Sequence, residues 1–235
     1  MASDSFCLPG SPRIPLEINR SRRARRVRID LHPVRDTVRL TIPTGVALQD
    51  AMRFVQSREA WIRGIWNGWP ETIVPEVGGT VLYLGKKTRI LRGDGAGVRL
   101  ADDVLEVSTS VEQVPVAVGA FIRENAEARL VSEARACASR LGRSVGKITL
   151  RDPRSGFGSC TASGNLMFSW RVGMAPVFVQ RYLAVHEACH LAEMRHNRKF
   201  WSLVESNCPE TAEAKRWLRD NGVLLFRHRF EPVPV

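Results

Sequence analysis

Residues 177–201 read VFVQRYLAVHEACHLAEMRHNRKFW. Val179, Tyr182, Leu183, Val185 and Leu191 recur at helical spacing, and Pro176 suits the start of a helix, where no amide donor is needed. The pattern predicts a helix over 177–194. Inside it stands His186-Glu187-Ala188-Cys189-His190. Residues four apart share one helical face, so the two imidazoles project together and can grip a single ion. Glu187 lies beside that face. From there its carboxylate can reach a water on the ion without being a ligand, as a metal-dependent hydrolase requires. A glutamate in so apolar a helix would be costly to bury without such a task.

His196 follows six residues after His190, and on an unbroken helix it would point away from the first two. The helix is therefore expected to bend or end around Met194–Arg195, with Asn197 fit to cap a further helix over about 197–206. Three of the five histidines fall within 186–196. His186, His190 and His196 are the expected ligands of a Zn2+ ion, with one coordination position left to water. A structural site would close with a fourth side chain. Cys160 and Cys189 are the conceivable closers, although Cys189 adjoins His190 and so faces another way. Glu193, Glu205 and Glu210 are alternatives to His196, which imidazole chemistry favours. In this scheme Glu187 takes a proton from the zinc-activated water as it attacks a carbonyl carbon, then returns it to the leaving amine. Tyr182, Arg171 and Ser159 are candidates to steady the oxyanion.

Outward from this stretch, residues 116–141 are Ala-, Glu- and Arg-rich and predict a long helix ending at Gly142. Strands are expected at 145–151 and 165–170, and a last helix over 210–220, stopped by Asn221-Gly222. Further back, Val27, Ile29 and Leu31, then Val34, then Val38, Leu40 and Ile42 alternate as two strands joined near 32–36. Residues 46–66 have helical spacing, and 80–108 hold short strand-like runs with Gly93-Asp94-Gly95-Ala96-Gly97 as a hairpin turn. No internal repeat stands out. The expected fold class is α+β. A loose arm (1–15) leads to a small antiparallel β subdomain (16–112), a helical core with a short sheet (113–222) and an extended tail (223–235).

Other residues carry a family resemblance. Gly158-Ser159-Cys160, Ser169-Trp170-Arg171, Ala175-Pro176, the run HEACHLAEMRH, His196 with Phe200-Trp201, and Trp217-Leu218 together resemble the YgjP-like metallopeptidase family of metal-dependent hydrolases. The likeness is strong over 115–222, and TIPTGV, REAWI and VLYLGKK extend it less specifically toward the N-terminus. It implies a zincin-like core, related to SprT-like and WLM proteases, with the long helix packed beside the HExxH helix. It also implies a peptide or protein substrate aligned along an edge strand, taken to be 165–170. Gly158-Ser159-Cys160 is expected as a tight turn beside the metal. These three residues, with Trp170, Arg171 and Tyr182, are the candidate substrate-binding set. Phe157 and Ser169 depart from the family's usual Trp and Asn. The histidine spacing also equals that of metzincins, but Glu193 stands where they carry Gly and no Met follows Met194.

Composition bounds the rest. With 44% hydrophobic and 25% charged residues the chain can build a core, and no window nears the ~20 apolar residues of a membrane span. The opening MASDSFCLPGSPRIPLE lacks an apolar signal run, so a cytoplasmic, unprocessed protein is expected. Five scattered cysteines without CxxC fit reduced thiols. The net charge is +11, and Arg20–Arg28, RSRRARRVR, holds six arginines in nine positions. Nucleic acid is thus a candidate partner, and a SprT-like protease acting on DNA-bound proteins is one alternative function. A charged sheet edge that resists aggregation explains the same stretch. A non-catalytic, zinc-stabilised interaction module is the other alternative.

Overall fold

Leu8, Ile14, Leu16, Val38, Leu40 and Ile42 are all buried, and their alternation along the chain builds the first sheet. The structure is a computed structural model that describes residues 6–33, 35–153 and 156–231. Val34, residues 1–5 of the expected arm and residues 232–235 of the expected tail lie outside the described residues. Strands β1 (Phe6–Leu8), β2 (Ile14–Ser21), β3 (Arg28–His32) and β4 (Thr37–Pro43) lie in the order β1-β2-β4-β3. The arm expected to be loose is thus tied into the sheet through Phe6–Leu8. Helices α1 (Leu48–Ser57) and α2 (Glu59–Asn67) replace the single helix read over 46–66, because Arg58 (φ −109, ψ 7) leaves helical geometry. They bury Ala51, Val55 and Ile62 in the same core.

The second sheet holds β5 (Thr80–Tyr83), β6 (Lys86–Arg92), β7 (Gly97–Ala101) and β8 (Val104–Ser108), in the order β5-β6-β8-β7. Its topology repeats that of the first: the central pair is parallel and the two outer pairs are antiparallel. Both sheets are therefore mixed rather than antiparallel throughout. Residues 93–97 do not close a hairpin, since β8 inserts between β6 and β7. The tight turn instead joins β7 to β8 through Asp102 and Asp103, whose φ angles of 44° and 63° lie in the left-handed region that Asp tolerates.

The inner face of this second sheet (Val81, Ile90, Leu105, Val107) shares one core with the helices that follow. The chain accordingly divides into compact units of Met1–Glu71 and Thr72–Val235, whereas the sequence reading placed the division between 112 and 113. Helix α3 (Val114–Arg140) ends before Gly142 (φ 63), close to expectation. Its buried stripe recurs every fourth residue: Val114, Val118, Ile122, Ala126, Leu130 and Ala134. Small residues let neighbours come close. A Cβ on Gly173 would meet Ala126 Cβ at 2.8 Å. Helix α4 (Val177–Cys189) packs along α3.

The third sheet contains β9 (Ile148–Arg151), β10 (Gly158–Cys160) and β11 (Leu166–Ser169), in the order β10-β11-β9. The strand expected at an edge, β11, is therefore central, and β10 is an edge. Helices α5 (Arg198–Asn207) and α6 (Thr211–Phe226) complete the unit. Helix α6 does not stop at Asn221-Gly222. Gly222 lies mid-helix against the Phe157 ring, where a Cβ would stand 3.3 Å from the ring. The segment after α6 is anchored too: His228 bridges Ile73, and Arg229 N donates to Ile73 O. No helix among the described residues is long and apolar enough to cross a membrane.

His228 is fully buried in its neutral form. Its Nε2 accepts from Leu82 N and its Nδ1–H donates to Leu224 O. Burial lowers its pKa to about 4, helped by the charge of Arg171. The folded state thus binds fewer protons than the unfolded state between about pH 6.5 and 4. This contribution is intact above pH 6.5 and is lost as pH falls through that window, to a total of about 3 kcal/mol. Denaturant titrations at pH 7.5 and pH 4 should show a smaller pH dependence for His228→Gln than for wild type. Equal pH dependence in the two proteins would refute this role.

Candidate metal centre

Helix α4 ends earlier than the sequence reading expected. His190 is its C-terminal cap, and the bonds Leu191 N to Ala188 O and Ala192 N to Cys189 O tighten the last turn to three-residue spacing. Residues 191–197 then swing His196 back. Asn197 Oδ1 accepts from Phe200 N at 3.0 Å and starts α5, as its residue type predicts.

The result is a convergence of imidazoles. His186, His190 and His196 each offer a nitrogen, and these atoms lie within 4.8 Å of one another. His186 Nε2 and His196 Nε2 are 3.1 Å apart. His190 Nδ1–H donates to Glu193 O at 3.1 Å, which leaves its Nε2 unprotonated for an ion. Tyr182 Oη lies 3.4 Å from His186 Nδ1 and orients that ring in the same manner. Burial lowers the pKa of His186 to about 4, aided by His190, His196 and Lys215, and burial also lowers that of His190. Neutral imidazoles are the ligand form. Donor type, spacing and protonation therefore fit a divalent ion of the zinc kind.

Aromatic rings fix the three imidazoles. Phe200 is fully buried, stacks on His190 at 4.4 Å between centroids, and meets His186 and His196 edge-on. Trp201 stacks on His196, and Lys215 Nζ lies 4.1 Å over the Trp201 ring. Phe200 and Trp201 were visible in sequence only as part of a recurring motif. Lys215, on α6, gave no sequence signal.

Glu187 is 5% exposed, and burial raises its pKa to about 7. It is absent from the ligand cluster, as its place beside the histidine face predicts. Its side chain lies against β10. A Cβ on Gly158 would stand 2.5 Å from Glu187 Oε1 and 2.7 Å from its Cγ. Gly158-Ser159-Cys160 is thus a strand paired with Leu166–Phe168 rather than a tight turn. Ser159 is exposed on it. Burial, together with the charge of Glu187, pushes the Cys160 thiol up to about 11.

The remaining candidates separate clearly. Among the described residues the metal-holding cluster is the three histidines alone. Cys189 is buried and hydrogen-bonded to Cys137 of α3. Glu193 accepts from Arg195 N, and Glu210 pairs with Arg181; neither they nor Glu205 joins the cluster. Tyr182 is buried beside the site, and burial with the Glu187 charge raises its hydroxyl to about 12. Arg171, 2% exposed, makes a two-pronged pair with Asp152 at 2.7 and 3.0 Å and donates to Leu225 O and His228 O. Trp170 packs on Phe230 and under the Arg171 guanidinium. Arg171 and Trp170 therefore hold the segment after α6 in place.

The family model described as YgjP-like, metallopeptidase domain matches residues 25–221. No curated protein matches the chain.

Gly158→Ala should push the Glu187 carboxylate aside while leaving the histidines in place. Zinc content should persist, and peptide hydrolysis should fall by about a hundredfold. Full turnover in this variant would show that the contact does not position Glu187.

Proposed function

The chain belongs to the YgjP-like metallopeptidase family, and from that membership we propose that it is a zinc-dependent peptidase with Glu187 as its general base. One observation carries this reading: three imidazoles converge within 4.8 Å, without a fourth ligand among the described residues, beside a carboxylate buried in an apolar helix. His186, His190 and His196 would hold the ion. Bound zinc would supply a Lewis acid that acidifies water and polarises a carbonyl oxygen. Glu187 takes the proton of the attacking water as the C–O bond forms, then delivers it to the leaving amine as the peptide C–N bond breaks. Tyr182 and Glu193 O keep the His186 and His190 rings in the ligating orientation. Strand β10 presents an edge on which an extended peptide can pair through main-chain hydrogen bonds. A purely structural zinc module would need a fourth ligand and would leave Glu187 buried without a role.

A specific observation favours nucleic acid as an additional partner. Arg22, Arg23, Arg25 and Arg26, between β2 and β3, are exposed, and their side chains have no hydrogen bond or ion pair among the described residues. Four unpaired guanidiniums within five positions suit a phosphate backbone. On this reading the peptidase acts on proteins bound to DNA.

Two measurements test these readings. Glu187→Gln should keep zinc but lose hydrolysis of denatured casein by a factor of at least about 1,000, whereas His186→Ala should lose the metal itself. Turnover retained by Glu187→Gln would remove it from the base role. Retention of the full chain on immobilised DNA should weaken steeply with salt, and should vanish when the four arginines are replaced by serine. Absence of retention at low salt would end the nucleic-acid reading.

A further inference from the structure

Strand β10 ends where a cavity of about 330 Å3 begins. Its lining includes Arg143, Ser144, Thr161, Ser163, Met194 and the candidate ligand His190, so the cavity opens directly beside the metal centre. One wall is a stapled turn. Asn165 N donates to Thr161 Oγ1, Gly164 N donates to Thr161 O, and Gly146 N donates to Gly164 O. Another part of the lining comes from the segment just after α3, where Arg143 N donates to Ala138 O and fixes the backbone from which its side chain leaves. That side chain is exposed and has no hydrogen bond or ion pair among the described residues. No carboxylate lines the cavity among the described residues, and three hydroxyls do; those of Thr161 and Ser163 are hydrogen-bonded to each other and to Asn165, and that of Ser144 has no partner among the described residues.

An unpaired guanidinium lining a hollow that holds no carboxylate matches a carboxylate ligand, which accepts two parallel N–H bonds from such a fork. We propose that this cavity is a substrate subsite for a carboxylate, with Arg143 as the residue that recognises it. The inference rests on the peptidase reading above and narrows its substrate class to chains with a carboxylate close to the scissile bond. That group is either an Asp or Glu side chain or the free C-terminus of a peptide, and the two share the same recognition chemistry.

Quenched-fluorescence peptides test this on the full, zinc-loaded chain. One series carries Glu, Gln or Lys at each position around the scissile bond. A second compares a free C-terminal carboxylate with its amide. The expected result is about a tenfold advantage in kcat/KM for the carboxylate form in one series. That series names the source. In Arg143→Glu the preference should reverse toward Lys or the amide. A second measurement avoids turnover: fluorescence anisotropy of the same peptides on metal-free Glu187→Gln protein should show the carboxylate preference, and adding Arg143→Glu should remove it. Cleavage of casein without carboxylate discrimination in either assay overturns the subsite and leaves the peptidase reading standing. Absence of any cleavage strikes the peptidase reading instead, and the binding assay then decides whether the cavity takes a carboxylate.

Discussion

The centre depends on a helix that stops on time. Two imidazoles four residues apart come together on any helix, but the third lies six residues further on and can return only if the helix ends between them. The chain achieves this at His190, where three-residue hydrogen bonds close the last turn and the Nδ1–H of the same histidine caps the Glu193 carbonyl. One residue is thus both helix terminus and candidate ligand. Asn197 restarts the chain as α5 and brings Phe200 under all three rings. Ligand geometry and backbone geometry are therefore a single arrangement, and neither can relax without the other.

The sheet edge is coupled to the same point. Glu187 would be an expensive group to bury alone. It is accommodated because β10 presents no side chain at Gly158, so the carboxylate lies directly on the strand's backbone. The edge strand β10 and the buried carboxylate are then held in van der Waals contact, so any displacement of one is felt by the other.

What the sequence disclosed follows from how local each signal is. Helical spacing in 177–190, the Asn197 cap and the end of α3 ahead of Gly142 are decided within a few residues, and all were legible. The order β5-β6-β8-β7 was not, because Gly93–Gly97 has the chemistry of a hairpin turn while pairing is settled by which strands share a buried face. Asn221-Gly222 resembles a helix stop, yet contact with Phe157 keeps Gly222 inside the helix. The third sheet is hidden in the sequence for the same reason: a three-residue strand, β10, is too short to announce itself, and it displaces β11 from the edge. The three histidines that converge fall within eleven residues, so their clustering was readable. Arg171 belongs to Asp152 and to the carbonyls of Leu225 and His228, and only the folded chain reveals that.

That buried arginine also joins distant stretches of the chain. Its guanidinium is enclosed among Trp170, Phe230 and the end of α6, and a charge there is tolerable only when all its acceptors are present. Two of those acceptors lie more than fifty residues later in the chain. The turn ahead of the histidine helix is therefore tied to Leu225 and His228, so the packing behind the histidines depends on contacts that are distant in sequence.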